Sequence, residues 1–360
     1  MREHKEKLQK SIKNGDFKND TVVKHIVISD GITTIYNNAF DSYYALEKIT
    51  LPKSLTTIGK QAFCNCTKLE SIVIKNGVTH IGEKAFQGCV SLKSIDLSKT
   101  TITELPRDVF ADCYTLERVF LPKSLIKIGY GAFARCQNLI AIELPKALTG
   151  IGHHAFSECG ILRAVLIPES VTTIGDGAFA DCEQLRLIDI KGPITEISTH
   201  LFKNCLRLRD IVLPKTITKI DIGAFRNCKS LKKLELHEQV KTLEKESFWG
   251  CFQLKHMILP ISVTQIGYQT FANCMALDEI NLGRVEQIDA EAFLNCISLH
   301  YLQLPHTIKT IELRAFFGCI NLENIIGLYP PGTDKDHINV KRLLEQLEDA
   351  FEDIDDVTVC

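Results

Sequence analysis

Hydrophobic residues recur along the chain with a period close to 23 residues. Phenylalanine marks this period most clearly: thirteen copies stand in phase from Phe40 to Phe316, with steps of 23 residues apart from one of 24 and one of 22. From Phe63 onward, a cysteine follows each phenylalanine by three residues and a leucine follows that cysteine by three more. Chance does not keep so many copies in phase, so the pattern predicts a repeat protein.

The segment 116–136 illustrates how one period is expected to fold. Val119 and Phe120 are neighbours in a short strand, so their side chains point to opposite faces, with Val119 facing inward. Phe133 and Cys136 are three residues apart, which places them on the same side of a short helical turn. Each period is therefore expected to contain one strand and one compact turn, both with an apolar inner side.

No single period can bury its own apolar face, so neighbouring periods must stack on one another. Stacking places equivalent strands side by side at about 4.8 Å and produces a continuous parallel sheet. The sequence therefore predicts an α/β repeat solenoid over residues 22–328, with about 13 stacked repeats. The parallel sheet is expected on its concave face, and short helical turns or strands on the other.

One sequence pattern recurs almost unchanged, Leu-x-x-Ile-x-Leu-Pro-x-x-Leu-Thr-x-Ile-Gly-x-x-Ala-Phe-x-x-Cys, and is clearest in residues 46–66 and 162–182. It resembles the BspA-like class of leucine-rich repeats, and the resemblance extends over about residues 22–328. The resemblance implies a sheet on one side of the array and a binding protein without catalytic residues. Members are mostly cell-surface or secreted adhesion proteins of bacteria and protists, with intracellular relatives. The column that carries asparagine in other leucine-rich repeats reads here Ser54, Gly77, Thr100, Ser124, Ala147 and Ser170.

The two ends of the chain depart from the repeat. Residues 1–21 are predicted to be a charged N-terminal cap segment, with a helix over 2–13. Residues 329–360 are predicted to be a linker followed by an acidic C-terminal helix. Two interpretations of that helix remain open, since it can cap the last repeat or dock into a groove of another protein. Its apolar stripe consists of Val340, Leu343, Leu344, Leu347, Phe351 and Ile354.

Charge and composition narrow the classes of partner. The formal net charge is −2, so no overall field favours nucleic acid or an anionic membrane. The first seven residues contain no apolar region of a secretory signal, and no apolar stretch is long enough to span a membrane. We therefore expect a cytoplasmic monomer, with the cell surface as the alternative location.

The fourteen cysteines allow three interpretations. Twelve of them form the column that follows the phenylalanines, where neighbouring Cα atoms are expected at about 5 Å, within the range of a disulfide. However, stacked identical side chains run parallel, and metal sites need ligands that converge on one point. Small buried thiols that pack beneath a turn are the favoured interpretation, and disulfides and metal ligation are the alternatives.

Nothing in the sequence points to an enzyme. The eleven histidines do not group with other candidate catalytic residues. The chain contains no glycine-rich phosphate loop, nucleophile elbow or zinc-binding His-Glu-x-x-His. No catalytic residue, metal or cofactor is predicted.

The outward-facing residues of the sheet strands are the candidate binding site. From Val73 to Glu235 the central outward column alternates apolar with acidic residues. Such a ribbon suits a protein partner, since apolar groups anchor it and carboxylates select its basic groups. The predicted function is a non-catalytic scaffold for protein–protein interaction, and the alternative is a cell-surface adhesin exported without a recognisable signal. The predicted contact residues are Val73, Asp96, Phe120, Glu143, Leu166, Asp189, Val212, Glu235 and Ile258.

Ancestry is a competing explanation of the alternation. Duplication of a 46-residue double repeat would copy an alternating column without any selection for binding. The following column supports this in part, because prolines at 168, 214, 260 and 305 alternate with other residues. Duplication explains the order of the residues, but it leaves their apolar groups exposed.

Overall fold

A computed structural model of the chain describes residues 11–12 and 23–327. The chain divides into two compact units: unit 1 ends at Gly192 and unit 2 begins at Pro193. Within each unit the chain forms stacked turns, so the predicted repeat solenoid with parallel strands is confirmed; the described residues form about 12 turns. The linker and helix predicted for 329–360 lie outside the described residues.

Unit 1 contains fifteen described strands, which alternate for most of its length between sheet strands of three or four residues and strands of two residues. They are β1 (Ser11–Ile12), β2 (His25–Val27), β3 (Thr34–Ile35), β4 (Lys48–Thr50), β5 (Thr57–Ile58), β6 (Ser71–Val73), β7 (His80–Ile81), β8 (Ser94–Asp96), β9 (Glu104–Leu105), β10 (Arg118–Phe120), β11 (Lys127–Ile128), β12 (Gly150–Ile151), β13 (Ala164–Ile167), β14 (Thr173–Ile174) and β15 (Leu187–Ile190).

Unit 2 continues the same alternation with eleven described strands. They are β16 (Glu196–Ile197), β17 (Asp210–Val212), β18 (Lys219–Ile220), β19 (Thr242–Leu243), β20 (His256–Ile258), β21 (Gln265–Ile266), β22 (Glu279–Asn281), β23 (Gln287–Ile288), β24 (Tyr301–Leu304), β25 (Thr310–Ile311) and β26 (Asn324–Gly327).

The paired strands of the described residues run parallel, and their register follows the repeat. In unit 1, β2, β4, β6, β8 and β10 form one sheet, and the short strands β1, β3, β5 and β7 form another. Ile26 lies opposite Ile49, and Ile49 lies opposite Ile72, each pair one period apart. Val119 lies opposite Ile95, so the 24-residue step leaves the inward column in register.

The segment around each phenylalanine is not helical, and the predicted helical turn is wrong. No residue of the described part of the chain is helical. Gly131, Phe133 and Arg135 donate their N–H groups to carbonyls of the next turn, at 3.0, 2.8 and 2.8 Å. Ala134 and Cys136 instead donate three residues back within their own turn. Because alternate N–H groups leave the segment, an α-helical pattern cannot form, and a third ladder of hydrogen bonds joins the turns.

Two residues in each phenylalanine segment have positive φ, which makes this alternation possible. In the turn of Phe133 they are Gly131, at 56°, and Arg135, at 60°. Left-handed backbone is costly for most side chains, and Asn, Asp and Gly tolerate it best. Arg135 nevertheless adopts it, because two backbone hydrogen bonds to and from neighbouring segments hold the turn in place.

Hydroxyl groups hold the stack together where other leucine-rich repeats use asparagine. The Ser124 hydroxyl donates to the Ile102 carbonyl at 2.8 Å, and that of Ser170 donates to the Leu148 carbonyl at 2.6 Å. Each bond crosses from one turn to the one before it. A short side chain therefore satisfies a backbone acceptor of the neighbouring turn.

The inward residues form continuous columns, as the period predicts. Phe110, Phe133 and Phe156 are fully buried, and their ring centroids are 5.5 and 5.3 Å apart. The ring planes differ by 15° and 10°, so the rings lie nearly parallel. Burial of each ring contributes about 1.5–3 kcal/mol to folding, and stacking adds to that.

The N-terminal prediction needs one correction. Ser11 and Ile12 are extended, as β1, and pair in parallel with Thr34 and Ile35 of β3. The predicted helix over 2–13 is therefore wrong at these two residues. The repeat reaches further towards the N-terminus than the phenylalanine column suggested.

Loss of one ring tests how far each turn depends on both of its neighbours. Phe271 stacks on Phe248 and on Phe293, whereas Phe316 stacks on Phe293 alone among the described residues. We expect Phe271→Ala to lower the free energy of unfolding by about 3–5 kcal/mol, because it opens a cavity between two covered turns. Phe316→Ala should cost clearly less. Urea unfolding of the two variants measures the difference, and equal losses would contradict stacking as the source of stability.

Candidate functional site

The predicted contact residues of unit 1 lie on the exposed side of the sheet strands. Val73 and Phe120 are the last residues of strands β6 and β10, and Leu166 lies within β13. The three residues are 63%, 52% and 57% exposed, respectively. Their neighbours along the strand point inward and are buried, which is the alternation expected of a half-buried sheet. We call the residues at 73, 96, 120, 143, 166 and 189 the sheet face of unit 1; all are exposed except Asp189, which is half-buried.

Strand register brings apolar and acidic members of the sheet face together. Asp96 lies opposite Val73 on one side and opposite Phe120 on the other. Leu166 likewise lies opposite Asp189. Glu143 is exposed but lies outside the named strands, in a segment joined to β13 by one isolated bridge. Neighbouring strands are about 4.8 Å apart, so the apolar groups at 73 and 120 recur about every 10 Å.

Unit 2 carries the remaining three predicted residues. Val212 and Ile258 are the last residues of β17 and β20, and they are 76% and 70% exposed. Glu235 is exposed but lies in a segment without strand pairing. Unit 2 therefore also carries exposed apolar residues together with a carboxylate.

Three of the four carboxylates already have partners, which the sequence analysis did not anticipate. Asp96 accepts the Ser98 N–H at 2.8 Å. The carboxylate of Asp189 lies 3.0 Å from the ammonium group of Lys191. Glu143 has no hydrogen bond or ion pair with another described residue.

Glu235 forms the shorter of the two ion pairs. Its carboxylate lies 2.6 Å from the Lys233 ammonium group, and that contact lowers the pKa of Glu235 below its ordinary value. Both lysines, at 191 and 233, stand two residues from their carboxylate. Residues two apart in an extended segment share a face, so this spacing in the sequence could have predicted the two ion pairs.

The cysteine column is confirmed as packing. All thirteen described cysteines are buried, and none of them forms a disulfide. Eleven of the column thiols donate to the carbonyl of a phenylalanine in a neighbouring turn. For example, the Cys136 Sγ–H donates to Phe110 O and that of Cys159 to Phe133 O, both at 3.2 Å. Burial raises the pKa of Cys64 to about 11 and that of Cys274 to about 12. The thiolate, which is the nucleophilic form, is therefore strongly disfavoured.

Other kinds of site are not assembled in the described part of the chain. Its His, Cys, Asp and Glu side chains form no group of three that could hold a metal ion. Within residues 11–12 and 23–327, no helix has the length and apolar character needed to cross a bilayer. The sheet face is thus the strongest candidate site among these residues.

Sequence comparison identifies the repeat type. Three overlapping sections, residues 5–117, 103–232 and 195–323, match the family model described as "BspA type Leucine rich repeat region (6 copies)". These sections cover most of the chain and include every predicted contact residue. No curated protein matches the chain.

Solved structures of leucine-rich-repeat proteins are similar to this chain. One from Bacteroides ovatus has 28% sequence identity and a TM-score of 0.73, over 89% of this chain and 87% of that one. A T. pallidum leucine-rich-repeat protein has 33% identity and a TM-score of 0.43, over 45% of this chain and 78% of that one. A leucine-rich cell surface protein from Faecalibacterium prausnitzii has 23% identity and a TM-score of 0.46, over 86% of this chain and 89% of that one. The likeness to the Bacteroides ovatus protein supports the fold described above.

Thiol chemistry checks the environment of the cysteine column. With the column thiol Cys274 at a pKa of about 12, roughly one such thiol in ten thousand is ionised at pH 8, and burial blocks access to it as well. In a Cys360→Ser variant, we expect almost no reaction with Ellman's reagent at pH 8 in the native protein. Thirteen thiols should react after denaturation. Rapid modification of several thiols in the folded protein would contradict their burial.

Proposed function

Because the chain belongs to the BspA-type leucine-rich-repeat family, a family of non-catalytic repeat scaffolds, we propose that it binds a protein partner through its sheet face. One observation carries the proposal: Val73, Phe120 and Leu166 expose more than half of their surface on strands whose backbone is fixed by neighbouring turns. Leucine-rich-repeat proteins typically bind proteins. Solenoids offer such surfaces for binding, since the strands need no rearrangement to meet a partner.

Phe120 is the strongest anchor of this surface. Aromatic side chains dominate the energetics of protein interfaces when a partner encloses them. Val73 lies two strands away, so one partner can contact both. Hydrogen-bonded β-strands on either side of β8 hold the two residues at a fixed spacing. A rigid pair of anchors loses little entropy on binding.

The carboxylates provide selectivity in this proposal, with unequal contributions. Glu143 is free to meet a basic group of the partner. Asp189 and Glu235 must first exchange the ammonium groups of Lys191 and Lys233, so they are expected to contribute less. Exposed ion pairs are worth about 0–1 kcal/mol, so the apolar anchors carry most of the affinity.

Substitution of the anchors tests the sheet face. We expect Phe120→Glu with Leu166→Glu to abolish capture of the partner from an extract of the native cell, because two charges replace apolar contacts. The circular dichroism spectrum should not change, since both side chains are exposed. Mass spectrometry of the captured proteins is the measurement.

Ile126→Glu with Ile140→Glu is the matched control, because these two isoleucines are also exposed but are not part of the sheet face. Capture should persist in this control. Full capture by the Phe120 and Leu166 variant would remove the sheet face as the contact surface. Loss of capture in both variants would mean that added charge alters the solubility of the protein, and not the sheet face in particular.

The scaffold is proposed to work in the cytoplasm. The hydrogen bonds from the column thiols to phenylalanine carbonyls need reduced cysteines, which a reducing compartment maintains. We expect surface biotinylation of intact native cells to leave the protein unlabelled, while a known surface protein is labelled. Labelling of the protein would favour the adhesin alternative.

A further inference from the structure

Unit 1 carries a row of lysines beside its sheet face. In five consecutive turns, the β-turn that follows the sheet strand contains one exposed or half-exposed lysine. We call these residues the lysine row: Lys53, Lys75, Lys99, Lys123 and Lys146. Asp30 occupies the corresponding turn before the row and Glu169 the one after it, so the row has defined ends.

The backbone fixes the spacing of the row. Each of these β-turns closes with a hydrogen bond across four residues, such as Leu125 N to Pro122 O at 3.2 Å and Leu148 N to Pro145 O at 3.0 Å. The Ser124 hydroxyl ties its turn to the preceding one through Ile102 O. Lys53, Lys123 and Lys146 are the second residues of their β-turns, whereas Lys75 is the first and Lys99 the third. The row therefore advances by the strand spacing of about 4.8 Å per turn, with Lys75 and Lys99 displaced by one residue along the chain.

The ammonium groups of the row are not neutralised within the described part of the chain. None of the five lysines forms an ion pair or a side-chain hydrogen bond with a described residue. Like charges at this spacing repel one another, and the screening length in physiological salt, about 8 Å, exceeds the spacing. The row is thus a linear positive surface available to a negatively charged partner.

We propose that the lysine row binds the acidic face of an α-helix on a partner protein. In a helix, acidic residues at i, i+4, i+7, i+11 and i+14 follow one face with a rise of about 5.3 Å per step. That rise matches the row to within about 0.5 Å per turn. Alternate residues of an extended strand are about 6.7 Å apart, so a strand falls out of register by about 8 Å over four steps.

The apolar neighbours of the row also favour a protein helix over nucleic acid. Phe120 stands three residues before Lys123, and Val73 stands two residues before Lys75. Both apolar side chains are exposed. An amphipathic helix can place apolar side chains on them while its acidic face follows the row. Single-stranded nucleic acid instead needs successive aromatic residues for stacking. Phe120 is the only aromatic residue on the sheet face of unit 1.

This inference goes beyond the proposed function and does not depend on it. The sheet-face proposal assigns affinity to apolar anchors and selectivity to carboxylates. The lysine row adds a second surface of opposite charge. Introduction of negative charge at Phe120 and Leu166 tests the first proposal, whereas removal of positive charge at the lysines tests the second.

The probe is a synthetic capped peptide, rich in alanine and glutamine, with glutamates at i, i+4, i+7, i+11 and i+14. We expect the full chain to bind it, with affinity that falls as salt rises and with a gain of peptide helicity in circular dichroism. A peptide of the same composition with glutamates spread around the helix should bind about tenfold more weakly. Equal binding of the two peptides would overturn the proposal.

Variants locate the binding on the row. Replacement of Lys99, Lys123 and Lys146 by glutamine should weaken binding of the matched peptide about tenfold. The control replaces Lys48, Lys93 and Lys127, which are exposed in unit 1 but lie outside the row. It removes the same charge and should leave affinity within about twofold.

Three outcomes would overturn the assignment. Equal weakening in the control would mean that net charge alone attracts the peptide. Tighter binding of a single-stranded or duplex oligonucleotide, with displacement of the peptide, would make the row a nucleic-acid surface instead. Absence of any binding by the full chain would also refute the proposal.

Discussion

The fold depends on one constraint: each turn must satisfy its backbone and cover its apolar face on the turns beside it. The phenylalanine segment shows this most directly, since Phe133 donates its N–H to the next turn rather than to its own. Three hydrogen-bond ladders set the spacing of the turns, and the phenylalanine rings fit that spacing at 5.3–5.5 Å. Backbone pairing and side-chain packing therefore impose the same period, and a substitution in one turn affects both neighbours.

Periodicity alone predicts which residues face inward, because stacking turns any sequence column into a spatial column. The columns of Phe133, Cys136 and Leu139 are buried as expected. The shape of the segment between columns is a different matter. The spacing of Phe133 and Cys136 is compatible with a helix. The helix is excluded only because alternate N–H groups of the segment donate to carbonyls of the next turn. Positive φ falls on Arg135 as well as on glycine, so residue propensity does not reveal it.

On the exposed side, a sequence column likewise predicts which residues are exposed but does not predict which of them are paired. Strand alternation predicts that Phe120 and Leu166 are exposed, and both are. It does not say whether a carboxylate is free, since that depends on nearby side chains. Lys191 and Lys233 stand two residues from Asp189 and Glu235 and occupy them. Each pair joins two different outward columns, so neither column alone indicates it, although the two-residue spacing is present in the sequence.

On a repeat scaffold, charged residues can select a partner mainly where they are regularly spaced and have no partner within the protein. A lone lysine on a surface loop is solvated and costs nothing to leave without a partner. Lysines in consecutive turns are different, because the stacked backbone keeps their Cα atoms within the screening length of one another. Lys123 and Lys146 occupy equivalent positions of closed β-turns, so repulsion between them persists in the free protein. A helix with carboxylates at the same interval relieves that repulsion along its whole length, whereas a partner with scattered charge relieves it at single points. Selectivity then comes from the interval between charges more than from their number.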